Sequence, residues 1–163
     1  MTTQRHLAQG TLVIGLGNLY RGDDAAGLAA AQHLREVAPP ELEIIEHSGD
    51  PLVLLDALAA AERVIVVDAV QSGAHPGTVH RLEVGDQPLS AAVATASTHS
   101  VGLAELIELA RTLGKLPSRV TIYGVEAVQY TPGTEPTPEC AAAVTGVVTA
   151  ILEEVGEVAL CTS

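Results

Sequence analysis

The chain is expected to fold as a three-layer α/β/α domain around a twisted, mostly parallel sheet of five strands, one of them antiparallel. Three observations predict this. Runs such as RVIVVD, Arg63–Asp68, are β-branched and carry no polar alternation, as strands do when both faces of a parallel sheet are covered. Between such runs lie stretches with helical spacing of apolar residues. The length of 163 residues, without an internal repeat or linker, matches one core, so residues 1–163 are read as a single domain with its core at about 11–155.

TLVI, Thr11–Ile14, is a first short strand that runs into glycine. Asp23–Val37 is alanine-rich and stops before Pro39-Pro40, which cannot continue a helix. ELEIIE, Glu41–Glu46, is the second strand. Asp50-Pro51 then places a capping residue before a proline at the first helical position, so a helix should reach about Ala61. Arg63–Asp68 is the third strand. GTVHRLEV, Gly77–Val84, alternates loosely and follows too closely for a crossover of about a dozen residues, so it should lie antiparallel to its neighbour. From Val101, the residues Leu103, Leu106, Ile107, Ala110 and Leu113 recur at helical spacing, and Gly114 stands at the stop. RVTIYGV, Arg119–Val125, is the last strand. QYTPGTEPTP, Gln129–Pro138, is a surface loop near the sheet's edge that could cover a cleft. The last helix should begin near Pro138, carry Cys140, and turn Ala141, Val144, Val148, Ile151 and Val155 inward.

Phe and Trp are absent and Tyr occurs three times, so the core must be aliphatic. Twenty acidic residues against eight basic ones give a formal charge of −12, which opposes binding to nucleic acid or an anionic membrane. No apolar run approaches the roughly 20 residues that span a bilayer, and MTTQRHLAQGT lacks the apolar stretch of a secretory signal. A cytoplasmic location is therefore expected. Cys140 and Cys161 form no CxxC pair, so neither a disulfide scaffold nor a structural zinc site is expected.

In an open α/β sheet, sites form beyond the carboxyl ends of the strands. After the first strand comes GLGNLYRGDDAAG, Gly15–Gly27. A dinucleotide fingerprint needs a small residue at its third glycine position to let the helix approach; Tyr20 stands there, and no phosphate-binding lysine is evident, so no nucleotide is expected. Gly15 and Gly17 should instead let the backbone bend and present the acidic pair that follows. Asp68 ends the third strand, where a buried charge must be hydrated, hydrogen-bonded, paired or metal-bound. His99, in STHS, stands just before a helix. Asp24, Asp68 and His99 together suit a divalent transition metal with positions left open for water or substrate. Each also has a structural reading: Asp23 or Asp24 as a helix cap, Asp68 bonded to loop amides, His99 as a hydrogen-bonding residue. His47, at a strand end, is a second-tier candidate.

Three segments in this order, LVIGLGNLYRGDDAAG, RVIVVDAVQSGAHPGTV and STHSVGLAELIELA, resemble the hydrogenase maturation proteases across about Leu12 to Leu152. The resemblance implies a twisted five-stranded sheet between helices, and its metal-binding positions fall on Asp24, Asp68 and His99. It implies an aspartic-type endopeptidase that trims the C-terminal extension from a nickel–iron hydrogenase large-subunit precursor. In that reading the nickel is supplied by the substrate and recognised by those three residues, with Asp23 as cap or support. A non-catalytic nickel-checking protein for the same precursor is the alternative. Ala25 stands where many members have glycine, and His47–Asp50 (HSGD) stands where members vary, which leaves their part in substrate choice open.

Overall fold

The computed structural model describes residues 10–48, 50–85 and 102–161, with side chains described through residue 156. Its strands are β1 Thr11–Leu16, β2 Glu43–His47, β3 Arg63–Val70, β4 Val79–Val84 and β5 Arg119–Glu126. Its helices are α1 Ala26–Val37, α2 Pro51–Ala59, α3 Leu103–Thr112 and α4 Pro138–Cys161, with a 3₁₀ turn at Gly22–Ala25 before α1. The sheet order is β2-β1-β3-β5-β4. All neighbours are parallel except β4, which pairs antiparallel with β5.

Central β3 explains the layering. It is paired on both sides, Val66 meeting Ile14 on β1 and Ile122 on β5, and its residues are buried from Arg63 through Ala69. On one face Leu12, Ile14, Val64, Val66, Val120 and Ile122 pack with Leu54, Leu55 and Leu58 of α2 and Leu106, Ile107 and Ala110 of α3. On the other, Val13, Ile65, Val67 and Val125 pack with Ala30 and Leu34 of α1 and Val144, Val148 and Ile151 of α4. Burying one leucine-sized side chain contributes about 1.5–3 kcal/mol, so this aliphatic core suffices without Phe or Trp.

Several boundaries differ from the sequence expectation. β3 continues past Asp68 to Val70, because β5 still offers it a partner there. The helix expected from Asp23 is split into the 3₁₀ turn and α1. Ala141 is exposed, while Cys140, Ala143, Val144, Val147, Val148, Ile151 and Val155 form the buried stripe of α4; Ala141 sits one residue off that stripe. Leu113, at the C-cap of α3, is also exposed. The segment 129–138 follows β5, an interior strand, and folds back toward the turn after β1 instead of lying at the sheet's edge.

Candidate active site

Chain order places the site. β1 is followed by β2 on one side and β3 on the other, so their connections diverge and leave a crevice at the carboxyl ends of β1 and β3. β1 pairs with β3 as far as Gly15↔Val67; Asp68 is the first β3 residue beyond that pairing, opposite Gly124 of β5. Strand alternation puts it on the α2/α3 face with Val64 and Val66, and it is fully buried.

The glycines after β1 serve close approach more than bending. Gly15 lies within extended β1, and a Cβ there would stand 2.2 Å from the Gly27 carbonyl. A Cβ on Gly27 would in turn stand 2.1 Å from the Leu16 carbonyl and 2.3 Å from that of Val67, so α1 can start against both strands only with glycine there. At Gly17 a Cβ would meet the Asp24 carbonyl at 2.2 Å, and the Asn18 amide donates to that same carbonyl at 3.1 Å. Gly22 has φ +56° and sits against the Gln129 carbonyl, two demands that glycine meets together. Through these contacts Asp24, only 4% exposed, is fixed on a turn that packs against β3.

Asp23 and Asp24 have separate roles. No side chain caps the 3₁₀ turn or α1. The Asp23 carboxylate instead accepts from the backbone amides of Val128 (3.0 Å), Gln129 (3.1 Å) and Thr137 (2.6 Å), and from the Thr137 hydroxyl. Thr137 in turn accepts from the Cys140 amide in the first turn of α4, so Asp23 supports a helix that begins over a hundred residues later. Burial raises the Asp23 pKa, and the bonds from Val128, Thr137 and Gln129 more than offset this, leaving it lowered. Beside it the Cys140 thiol is pushed up to about 12 by burial and by the Asp23 charge, so it stays an unreactive thiol.

The segment after β5 closes on this turn. Asp23 N donates to the Gln129 carbonyl, Gly22 N to that of Thr134, and Arg21 Nε to that of Tyr130. Burial raises the Tyr130 phenol, and the charges of Asp24, Glu126, Asp23 and Asp68 raise it further; it lies in the field of both candidate carboxylates. Tyr130 was not singled out by its sequence surroundings. Nor was Glu126, although it ends a β-branched run much as Asp68 does, and that pattern could have found it. Its buried carboxylate accepts from the Ser72 amide (2.8 Å), the Ser72 hydroxyl (2.7 Å) and the Gly73 amide (3.0 Å), and it pairs with His80 Nε2 at 3.0 Å. It ties the β3–β4 connection to the end of β5.

Of the three residues expected to hold a metal, the fold brings Asp24 and Asp68 to one end of the sheet, and His99 lies outside the described residues. Among the described residues no three metal-ligating side chains are grouped. The second-tier candidate His47 has a structural partner: its Nδ1 accepts from Asp50 N at 3.2 Å, and the Asp50 carboxylate caps α2 as expected by accepting from Leu52 N at 3.0 Å. The two carboxylates are hard oxygen donors compatible with a divalent metal.

The sequence profile of the hydrogenase maturation protease family matches residues 28–154. The chain belongs to that family. The match contains Asp68 and His99, and Asp24 lies just before it. The hydrogenase 2 maturation protease of Escherichia coli is 31% identical over 78% of this chain and 80% of its own length. The hydrogenase expression/formation protein HupD of Rhodobacter capsulatus is 32% identical over 72% of this chain. That match spans 57% of HupD, so the chain covers little more than half the length of this relative. Among solved structures, the hydrogenase maturating endopeptidase HybD from E. coli superposes with a TM-score of 0.78 at 28% identity, covering 90% of this chain and 92% of HybD.

Proposed function

We propose that the chain is an endopeptidase that removes the C-terminal extension from a nickel–iron hydrogenase large-subunit precursor after nickel insertion. The observation that carries this reading is the placement of Asp24 and Asp68 at the switch point of the sheet, one on a glycine-fitted turn and the other at the end of the β1–β3 pairing. Membership in a family of maturation proteases supports the reaction class. Nickel belongs to the substrate here: Asp24, Asp68 and His99 would meet it as oxygen and nitrogen donors, which register the scissile bond against the site. A carboxylate at this end can also orient a water or accept its proton, a contribution worth about 10²–10⁴ in rate.

Nickel-loaded and nickel-free precursor, incubated separately with the purified chain, are distinguished by product mass. Cleavage of the loaded form alone is expected. Equal cleavage of both would remove nickel recognition from the proposal, and a stable complex without loss of a peptide would favour a nickel-checking protein. No helix among the described residues is long and apolar enough to cross a membrane.

A further inference from the structure

We infer that Tyr20, next to the exposed Leu19, is a preformed anchor for the protein substrate on the turn that carries Asp24; the inference rests on the protease reading above. Tyr20 stands where a nucleotide-binding loop would need a small residue, and its role in the fold is confined to its backbone. Its amide donates to Asn18 Oδ1 at 2.9 Å and its carbonyl accepts from Gly133 N at 2.6 Å, so the main chain is held from both sides. The side chain nevertheless is 79% exposed. Val128 repeats the pattern: Asp23 holds its amide at 3.0 Å while its side chain is 53% exposed.

Exposed apolar side chains concentrate at this end of the molecule. Nine large ones are exposed among the described residues, and six of them, Leu19, Tyr20, Leu52, Val53, Val79 and Val128, lie at the carboxyl end of the parallel strands. A rigid ring loses little conformational freedom on binding, which is how aromatic anchors gain affinity. Tyr20 is four residues from Asp24 on the same turn, close enough for a polypeptide cut at that site to reach it. The occupant is therefore the precursor, through an apolar surface beside its cleavage point. A second copy of this chain is disfavoured, since two chains of charge −12 repel.

The test compares the parent chain with Tyr20→Ala and Tyr20→Phe on purified nickel-loaded precursor, measuring KM and kcat by product mass and binding by titration, with thermal melts confirming equal folding. Tyr20→Ala should raise KM about tenfold or more and leave kcat at saturation unchanged, while Tyr20→Phe stays within about twofold of the parent. Cleavage with a KM for Tyr20→Ala within twofold of the parent overturns the anchor and leaves the protease reading intact. Binding that depends on Tyr20 but is followed by no cleavage overturns the protease reading and supports the anchor. Self-association lost in Tyr20→Ala with precursor binding unchanged assigns the turn to a second copy and overturns the proposal.

Discussion

Asp23 accepts bonds from three backbone amides and one hydroxyl, all supplied by Val128, Gln129 and Thr137 and all part-buried. Asp23→Ala strands those donors. Leaving these part-buried donors without the carboxylate should cost about 1–3 kcal/mol in urea unfolding. The same carboxylate sets part of the acid sensitivity. Its folded pKa lies below the ordinary aspartate value of 3.8, so its contribution is complete above that value and is lost as pH falls through the lowered folded value. Glu126 behaves alike below 4.5: burial raises its pKa, and the bonds from Ser72, His80 and Gly73 leave it lowered. Melting temperature should therefore hold from neutral pH to about 5 and fall steeply below 4, with a shallower fall in Asp23→Asn.

At the scale of elements, the decisive contact is α1 against the ends of β1 and β3. Gly27→Ala would drive a Cβ into two carbonyl oxygens that cannot both yield, and should destabilise by about 2–3 kcal/mol in the same assay, whereas Gly146→Ala on α4, with open space around it, should not. The layering was legible in the sequence, and the strand order was not: RVIVVD has no polar alternation because both its faces are covered, and GTVHRLEV follows too closely for a crossover and so pairs antiparallel. Asp68 was legible for the same reason, as a carboxylate behind four apolar residues. What sequence did not convey was long-range pairing. The bonds of Asp23 to Val128 and Thr137, and the clamp of Glu126 on Ser72, join residues 54 to 114 positions apart, and no local spacing encodes them. Equally, the end of β3 depended on β5 still being alongside at Val70, a matter of register and not of propensity.

Across the whole molecule, a charged cluster ties the last helix to the sheet. Glu154 of α4 accepts from Arg63 at 2.8 Å and from Arg81 at 2.7 Å, and also from the Tyr123 hydroxyl, linking α4 to β3, β4 and β5. Burial and the Glu154 bond push the Tyr123 phenol up to about 12. Arg63 is 7% exposed, so Glu154→Ala leaves a buried guanidinium without its carboxylate and should cost about 3 kcal/mol, with processing of precursor retained below the lowered melting point. The Glu154 cluster is distinct from Asp24 and Asp68, so it can be altered separately from them. The most direct test of the whole account is the intact mass of nickel-loaded precursor after incubation with the parent chain, Asp24→Asn and Asp68→Asn. The account predicts loss of the C-terminal extension with the parent and a fall of about a hundredfold or more in rate with each folded variant. Full processing by either variant would contradict it.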